Sequence, residues 1–472
     1  MSGRMDDVEL VEPAGDEPAV PGDGAAVAAR RSRVLRVVRR WWPVPVLAVA
    51  GLVAWQVTTA SRDQERAERL RATPGVIGET ITPPLETRAW GTPATALPLF
   101  SGSSVDGLVV GPVYPTTDRA DLVGLDAADG SEVWRVTLAE RPGAAAGPDV
   151  TCGEPDGRTL WCFLDEAGAG PGPAARRTRL VEVDLDAHAV VQERDLPEGA
   201  SATVAGDLLA VATTTPEGVV VEGSDVAGGA PRWRTVLGQV DGGVVSLAPE
   251  DGHLLVWGPS DAWALDPADG RVQAEGPGLA VQSGRLLDWQ GSTAVRLLGA
   301  DGRGTARTEG APLRVWPDDG SAGGLLLLLL RYDGTPAGQV RAVDPDTGAV
   351  AWERSLPRDG TGNLVLLDGV LYGAGGTTVW AVDALTGADV WSAEGARADP
   401  AGNGLLTDGR SLLRAEREAG ASAGSEDRVL AAYRLGDGRR LWTTPLPPDV
   451  GTLWSQQGRL FGQVETGVST LR

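Results

Sequence analysis

Short apolar runs separated by turns rich in glycine and aspartate make up most of this 472-residue chain. The stretch at 362–383, GNLVLLDGVLYGAGGTTVWAVD, is typical, with apolar runs on both sides of an Asp-Gly turn. Apolar runs of about four to eight residues bounded by such turns predict β-strands joined into hairpins. The run LLLLLL at 325–330 is then a buried central strand, because it is far too short to span a bilayer. The pattern predicts an all-β domain over residues 86–472.

Residues 41–60 form the one transmembrane helix that the sequence predicts. The stretch WWPVPVLAVAGLVAWQVTTA carries no charge, and as a helix it would span about 30 Å, the thickness of the hydrocarbon core. Arginines precede it, whereas the stretch that follows, SRDQERAERLR, mixes both signs. The arginines are Arg30, Arg31, Arg33, Arg36, Arg39 and Arg40. Because positive charge favours the cytoplasmic side, we expect a cytoplasmic N-terminus and an extracytoplasmic domain on a single-pass cell-membrane protein.

The flanks of this stretch complete the predicted domain organisation. Residues 1–29 are acidic and almost free of aromatic side chains, so residues 1–40 are predicted to form a disordered cytoplasmic tail with an arginine-rich end. Residues 61–85 are predicted as a juxtamembrane helix and linker. The alternative is a cleaved signal peptide, but the leader is long and acidic and no clean small-x-small cleavage site follows.

One eleven-residue pattern recurs along the predicted β domain. Two copies, AVDPDTGAVAW (342–352) and AVDALTGADVW (381–391), read Ala-x-Asp-x-x-Thr-Gly-x-x-x-Trp, and GLDAADGSEVW (124–134) and GSDVAGGAPRW (223–233) keep the same offsets. Weaker copies lie at 264–274, at 432–442, at 182–192, where His188 replaces glycine, and around Gly302. The turn residues of the four sharpest copies are Asp126, Gly130, Asp225, Gly229, Asp344, Gly348, Asp383 and Gly387. Their tryptophans and that of the copy at 432–442 are Trp134, Trp233, Trp352, Trp391 and Trp442.

Each copy predicts a hairpin, and the spacing of the copies predicts the architecture. Aspartate accepts backbone hydrogen bonds in a turn, glycine supplies a positive φ, and the second strand carries the tryptophan. The repeat interval is close to the 40 to 50 residues of a four-stranded propeller blade. We expect a β-propeller of eight blades, with seven or nine as alternatives because the copy around Gly302 is short and has no tryptophan. The segment RAWGTP (88–93) resembles LWTTP (441–445) and is expected to close the last blade.

The repeated pattern resembles the tryptophan repeat of the quinoprotein-like (pyrroloquinoline-quinone, PQQ-like) β-propellers, over residues 86–472. The resemblance implies that the five tryptophans named above pack between neighbouring blades. It also implies a quinone, a calcium ion, a catalytic aspartate and often an adjacent Cys-Cys disulfide, as in quinoprotein dehydrogenases. This sequence departs from that set, since it has no adjacent cysteines and its only asparagines that could offer an amide ligand are Asn363 and Asn403. We therefore assign no catalytic, cofactor or metal residue, and PQQ and calcium have no identifiable ligands.

The charge of the chain excludes several classes of function. The net charge is −22, and all 42 basic residues are arginine, a bias typical of a high-GC genome such as that of an actinobacterium. An acidic domain is a poor nucleic-acid binder. Schiff-base chemistry and phosphate-binding P-loops both need a lysine, which the sequence does not contain.

The cysteines and histidines are few enough to consider one by one. Cys152 and Cys162 flank GEPDGRTLW, which reads as a hairpin and predicts a disulfide in an exported domain. A zinc site is the alternative, but two thiolates without a nearby histidine leave its ligand set incomplete. His188 and His253 are expected to be exposed turn residues, although a serine triad would have to use one of them.

These observations favour a non-catalytic, membrane-tethered module that binds a protein or small ligand outside the cytoplasmic membrane. The first alternative is a PQQ-dependent or other oxidoreductase. The second is a ligand-sensing domain whose signalling partner lies in another chain, because the short cytoplasmic segment holds no kinase motif.

Overall fold

The structure is a computed structural model, and its described part begins at residue 62. The described residues are 62–92, 95–140, 149–167, 176–228, 230–240, 244–282, 284–290, 294–299, 302–313, 315–331, 338–355, 363–399, 402, 404–417, 428–465 and 467–472. The predicted cytoplasmic tail, the predicted transmembrane helix at 41–60, Gly229 and Asn403 lie outside them. Within the described ranges, no helix has both the length and the apolar character needed to cross a membrane. The chain divides into two compact units, Met1–Glu65 and Arg66–Arg472.

Strands form almost the whole of the second unit. Helix α1 covers residues 62–71, and a short helix α2 covers Pro98–Ser101. The strands of blades 1 to 3 are β2 (Ser103–Val105), β3 (Leu108–Thr116), β4 (Arg119–Asp126), β5 (Glu132–Glu140), β6 (Asp149–Cys152), β7 (Thr159–Ala167), β8 (Arg176–Asp184), β9 (Ala189–Asp195), β10 (Ser201–Ala205), β11 (Leu208–Thr215), β12 (Gly218–Asp225) and β13 (Pro231–Val236). Those of blades 4 to 6 are β14 (Ser246–Glu250), β15 (His253–Trp257), β16 (Ala262–Leu265), β17 (Val272–Gly276), β18 (Leu279–Gln282), β19 (Arg285–Gln290), β20 (Ala294–Leu298), β21 (Gly304–Glu309), β22 (Ala311–Pro312), β24 (Leu326–Arg331), β25 (Gly338–Val343) and β26 (Val350–Ser355). Those of blades 7 to 9 are β27 (Leu364–Leu367), β28 (Val370–Gly375), β29 (Thr378–Asp383), β30 (Asp389–Glu394), β31 (Arg397–Ala398), β32 (Leu405–Thr407), β33 (Ser411–Arg417), β34 (Arg428–Arg434), β35 (Arg440–Pro445), β36 (Leu453–Gln456), β37 (Arg459–Val464), β38 (Gly467–Leu471) and β1 (Thr87–Trp90).

The strands assemble into nine antiparallel sheets within the described ranges, which together make an all-β propeller. Apart from the closing sheet, whose fourth strand is β1, each sheet runs in chain order from its first strand to its fourth. Blade 7 gains a further strand, β23 (Val315–Asp318), which pairs parallel to β27 at the first-strand edge. In blade 8 both β31 and β32 pair with β33, so the first strand is divided in two. The predicted central strand is confirmed, because β24 is largely buried and pairs on both sides.

The expectation of eight blades was wrong by one. The short copy around Gly302 belongs to a complete sheet, β18 to β21, and the closing sheet is the ninth. Ala306 occupies the position of the missing tryptophan. A Cβ built on Gly348 of the next blade would lie only 2.5 Å from the Cβ of Ala306. A methyl group is therefore enough to fill the narrower gap between blades 5 and 6, and a blade does not require the tryptophan.

The last blade combines the two ends of the domain. Strand β1 pairs antiparallel with β38, with Thr87 opposite Leu471 and Trp90 opposite Val468. Glu86 and Arg472 exchange a further pair of backbone hydrogen bonds. This confirms the predicted closure by the segment at 88–93, and it removes the free sheet edges that an open array would expose.

The recurring pattern is explained by a bulged hairpin between the third and fourth strands. In blade 6 the register shifts between Ala342 and Val343, which sets Ala342 opposite Trp352. The residue opposite the tryptophan is small because the indole lies over it. A Cβ built on Gly223, for example, would meet the ring of Trp233 at 2.2 Å. The first alanine of the eleven-residue pattern thus makes room for the tryptophan.

The core consists of apolar clusters, most of them formed where neighbouring blades face each other. One such cluster joins buried residues of blades 1 and 2, among them Leu122 and Leu160. Others join blades 3 and 4 and blades 6 and 7 in the same way. Since each blade is covered on both faces by its neighbours, the core runs continuously around the ring.

Residues 66–86, called the N-terminal segment below, pack against blades 7, 8 and 9. Leu70 and Val76 lie in a cluster with blade 7 and 8 residues, and Ile77 and Ile81 lie in one with blades 8 and 9. All four side chains are buried. The second half of the predicted juxtamembrane region is therefore part of the packed structure.

The N-terminal segment also pairs with the turns of these blades. Arg66 donates from Nε to the carboxylate of Asp368 at 2.5 Å, in the first turn of blade 7. Ile77 N–H donates to the carbonyl of Thr407 in blade 8, and Gly78 N–H to that of Gly458 in blade 9. One short segment thereby contacts three consecutive blades.

Candidate ligand pocket

The predicted turn residues form the turn between the third and fourth strands. Gly348 and Gly387 have φ values of +71° and +69°, and each donates its N–H to the carbonyl of the aspartate four residues earlier. Asp344 Oδ1 accepts from two backbone N–H groups, chiefly that of Thr347, and these hydrogen bonds lower its pKa. The side chain and backbone of Thr386 do the same for Asp383 and lower its pKa. Asp126 with Gly130 and Asp225 make the equivalent turns.

Four tryptophans of fourth strands reach across to the next blade. Each donates its indole N–H to a backbone carbonyl in the following turn. The pairs are Trp90 with Ala127 (3.2 Å), Trp233 with Pro267 (3.0 Å), Trp352 with Ala384 (3.0 Å) and Trp391 with Leu435 (2.8 Å). The turn glycine lies under the ring, since a Cβ built on Gly387 would be 2.8 Å from Trp352. Trp90 closes the ring in this way although it lies outside the eleven-residue copies.

Two tryptophans of the repeat depart from this arrangement. Trp134 stacks on the imidazole of His188, with ring centroids 5.0 Å apart, where other blades have the turn glycine. His188 keeps the positive φ of that position, +49°. Trp442 in blade 8 is half-buried, and blade 9 offers it no corresponding turn because the fourth strand of that blade is β1.

The remaining predicted side chains lie apart from one another. Cys152 and Cys162 face each other in β6 and β7 and form a disulfide. His188 is exposed in blade 2, while His253 is half-buried in blade 4 with its Nδ1 2.6 Å from Oε1 of Gln273. The two histidines therefore do not converge on one site.

Blade 8 contains two buried ionic clusters. Asp399 is fully buried and pairs with Arg428 and Arg417. Arg428 also donates to the carbonyls of Val450 and Gly451, which tie blade 8 to the chain entering blade 9.

The second cluster is centred on Glu416. Its carboxylate accepts from the hydroxyl of Tyr433 at 2.5 Å and from Arg440. Burial, together with this carboxylate, raises the pKa of Tyr433 to about 12. Both clusters link strands of blade 8 to one another or to the chain entering blade 9, so their role is structural.

A pocket of about 680 Å³ lies where the first strands of blades 4 to 7 approach one another. Its walls come from the first turn of blade 4, from β18 and β19 of blade 5, and from the insertion between β22 and β24 in blade 6. The side chains that carry its chemistry are Glu250, Asp251, Gln282, Trp289, Trp316 and Asp318.

Two indoles give the pocket its aromatic surface. Trp289 is 40% exposed and Trp316 is 50% exposed, unlike the buried tryptophans between blades. Trp316 is supported from behind by the N-terminal segment, because a Cβ on Gly75 would lie 2.6 Å from the indole. Its carbonyl accepts from Asn363 at 2.6 Å. The insertion that carries Trp316 is therefore held on both sides.

The polar atoms of the pocket are acceptors. Gln282 donates from Nε2 to the carbonyls of Leu313 and Leu327, and its Oε1 is buried without a hydrogen-bond partner among the described residues. Burial raises the pKa of Asp318, and the neighbouring Asp319 adds to this, although the Gly320 N–H opposes it. Three carboxylates line the pocket, and its described lining contains neither arginine nor histidine. The electrostatic character of the pocket is negative.

This pocket was not predicted from the sequence, but one signal pointed to it. Trp289 and Trp316 do not stand four residues after a turn glycine, which is where the repeat places its tryptophans. Trp316 also sits in VWPDDGSAGG (315–324), an interruption of the blade pattern. Position alone is not a sufficient marker, because Trp90 and Trp263 also lie outside the repeat position and are buried between blades. The interruption of the blade pattern at 315–324 is the more specific signal.

The described residues do not fit the quinone and calcium sites that the PQQ-like resemblance implies. Among the described residues, no three histidine, cysteine, aspartate or glutamate side chains are grouped so as to hold a metal ion. The only disulfide of the described chain joins residues ten apart, not adjacent cysteines. Neither the quinone nor calcium enters the function proposed below.

Comparison with known proteins gives a partial family match. Residues 316–464, which span blades 6 to 9, match the PQQ-type family described as outer membrane protein assembly factor BamB. No curated protein sequence matches the chain significantly.

Solved structures share the fold at low identity. BamB from Moraxella catarrhalis is 17% identical with a TM-score of 0.37, over 83% of this chain and 98% of that one. Quinohemoprotein alcohol dehydrogenase from Comamonas testosteroni is 13% identical with a TM-score of 0.38, over 82% and 76%. Function has to be argued from the site itself, because a fold does not determine a function.

Proposed function

We propose that this chain is a membrane-tethered, non-catalytic binding module whose propeller holds a partner protein or small ligand outside the cytoplasmic membrane. The observation that carries the proposal is the pocket at blades 4 to 7. It offers two exposed indoles and several acceptor atoms, while its described lining holds no serine, cysteine, histidine or lysine to act as a nucleophile or a base beside one. Such a lining supports recognition of a ligand through its indoles and acceptor atoms.

The tether rests on the sequence. The uncharged stretch at 41–60 and the arginines before it support a single-pass anchor with the propeller outside. Alkaline phosphatase fused after residue 472 is expected to be active, and the same enzyme fused after residue 40 inactive. The reverse pattern would contradict the proposed location.

The binding function is tested in the membrane. Full-length protein carrying a C-terminal tag is crosslinked in cells, extracted in detergent, and its partners identified. We expect a defined partner or bound metabolite that is lost with Trp289→Ala and retained with Phe100→Ala. Phe100 is a matched control, being exposed and packed on Trp454 at a different place, between blades 9 and 1.

The enzyme alternative is tested with the same preparation. Detergent-purified chain is mixed with PQQ and calcium and assayed for substrate-dependent dye reduction. Reduction that requires both additions would overturn the non-catalytic proposal, and its absence supports it.

A further inference from the structure

We propose that the pocket at blades 4 to 7 binds a guanidinium group, carried by an arginine side chain of the partner or by a small guanidinium compound. The inference rests on the proposed binding function and adds the chemistry of the ligand. It is drawn from the donor and acceptor balance of the lining and from the indoles.

The polar groups that line the pocket are mainly hydrogen-bond acceptors, so a ligand that binds there should supply donors. Glu250, Asp251 and Asp318 supply carboxylates to the pocket lining, whereas the Oε1 of Gln282 is buried from solvent. A guanidinium carries five N–H donors and no acceptor, so each carboxylate can receive a charge-assisted hydrogen bond from it. An anionic ligand would place acceptors against these acceptors, and a neutral donor would gain no charge pairing.

The indoles narrow the choice of cation. A flat, weakly hydrated guanidinium stacks on an indole face, and the attraction grows as water is removed. Trp289 and Trp316 are the tryptophans of the pocket wall and are exposed. A compact ammonium would use the carboxylates but not these flat surfaces to the same extent. The combination of carboxylates and indoles therefore favours guanidinium.

Burial of a carboxylate is consistent with a cationic ligand. The pKa of Asp318 is raised by burial and by the nearby Asp319, so its charge is poorly compensated in the free protein. A guanidinium in contact with the carboxylate would supply the missing positive charge. Binding and the ionisation of Asp318 should then assist each other.

The experiment uses the full chain in detergent and four probes. They are Nα-acetyl-arginine methylamide, the peptide acetyl-Gly-Gly-Arg-Gly-Gly-amide, and the same two compounds with citrulline, a neutral near-isostere of arginine. Titration is followed by tryptophan fluorescence and by calorimetry. Saturable binding is expected for the arginine probes, at least about tenfold tighter than for their citrulline counterparts, since a charge-assisted pair is worth about 1.5 kcal/mol or more. A peptide that binds more tightly than the single residue indicates a partner protein, and equal affinities indicate a small compound.

Matched variants locate the binding. Asp318→Asn keeps the acceptor for the Gly320 N–H and should weaken arginine binding about tenfold, as should Trp289→Ala. Glu198→Gln removes one negative charge from an exposed loop between blades 2 and 3, and it should leave the affinity unchanged. Circular dichroism confirms that each variant is folded.

Two results would overturn the inference: citrulline probes that bind as tightly as arginine probes, or Asp318→Asn and Trp289→Ala variants that bind like the unmodified chain. Other results would distinguish a failure of the proposed binding function from a failure of the guanidinium site. A crosslinked partner that is retained by Asp318→Asn would keep the binding module and reject the guanidinium site. Arginine binding without any partner or metabolite in membranes would reject the module and keep the site.

Discussion

Trp391 in blade 7 donates its indole N–H to the carbonyl oxygen of Leu435 in blade 8 at 2.8 Å, and its ring covers Gly438 of the same turn. The contact joins two blades that share no backbone ladder. Stability of the ring therefore depends largely on side chains at the blade boundaries. Backbone pairing stays within each blade among the described strands, apart from β23, which comes from the insertion in blade 6 and pairs with β27 of blade 7, and the isolated bridge between Gly402 and Leu453.

Trp391→Ala should cost about 3 to 5 kcal/mol of unfolding free energy, since it removes a large buried side chain and leaves a cavity between blades. Trp391→Phe should cost less, about 1 to 2 kcal/mol, mainly from the unpaired Leu435 carbonyl. Trp442→Ala is the control, because Trp442 is half-buried and meets no following turn. Urea unfolding measures the loss of unfolding free energy in each variant. Equal losses for Trp391→Ala and Trp442→Ala would contradict the expectation.

Gly387→Ala tests the turn glycine of blade 7, which lies under the indole of Trp352 at the boundary between blades 6 and 7. The residue combines a φ of +69° with a Cβ position 2.8 Å from the ring of Trp352. Gly369→Ala is the matched control, with a φ of +73° and no atom within 4 Å of its Cβ position. The backbone cost, about 1 to 2 kcal/mol, is common to both, and the collision should add about 1 to 3 kcal/mol at Gly387 alone. A melting temperature that falls equally in both variants would show that the indole does not require glycine.

The buried pair of Arg428 and Asp399 should be more costly to break than to replace. Arg428→Met leaves a fully buried carboxylate with one fewer partner and should cost about 3 to 5 kcal/mol. The double variant Arg428→Met, Asp399→Leu removes both charges and should recover part of that loss. Chemical unfolding of the two proteins measures the difference, and no recovery would indicate that the carbonyls of Val450 and Gly451 dominate.

Acid should weaken the turns between third and fourth strands. The pKa values of Asp344 and Asp383 are lowered in the folded protein by hydrogen bonds from the turn. Their contribution is present above the unfolded pKa of about 3.9 and is lost as the pH falls through the folded pKa. Urea midpoints should therefore fall between about pH 5 and pH 3, and Asp383→Asn should flatten this dependence. Glu198→Gln, in an exposed loop, should leave the slope as it is.

Loss of the disulfide between Cys152 and Cys162 should destabilise blade 2. The two residues are ten positions apart, and closing a loop of that size is worth about 2 to 3 kcal/mol. Thermal unfolding of Cys152→Ala, and of the natural chain after reduction, should show similar losses. A reduced chain as stable as the oxidised one would contradict the expectation.

The repeat predicted the hairpins, because Asp, Gly and Trp at fixed offsets act within one turn and one boundary. It did not predict the blade count, since Ala306 fills a boundary that was expected to need tryptophan. The pocket was missed because Trp289 and Trp316 come from different blades. Only the closed ring brings the turn of blade 4, the first strand of blade 5 and the insertion of blade 6 together. Local patterns cannot report such long-range convergence, although the interruption of the blade pattern at 315–324 marks one wall of the pocket.

The N-terminal segment has a mechanical consequence. A pull on the chain at Arg66 is first resisted by Asp368 in blade 7, then by Thr407 in blade 8 and Gly458 in blade 9. Tension would reach β1 only after these attachments had given way. Since β1 and β38 form the seam of the ring, these attachments would protect the seam from tension applied to the chain before Arg66.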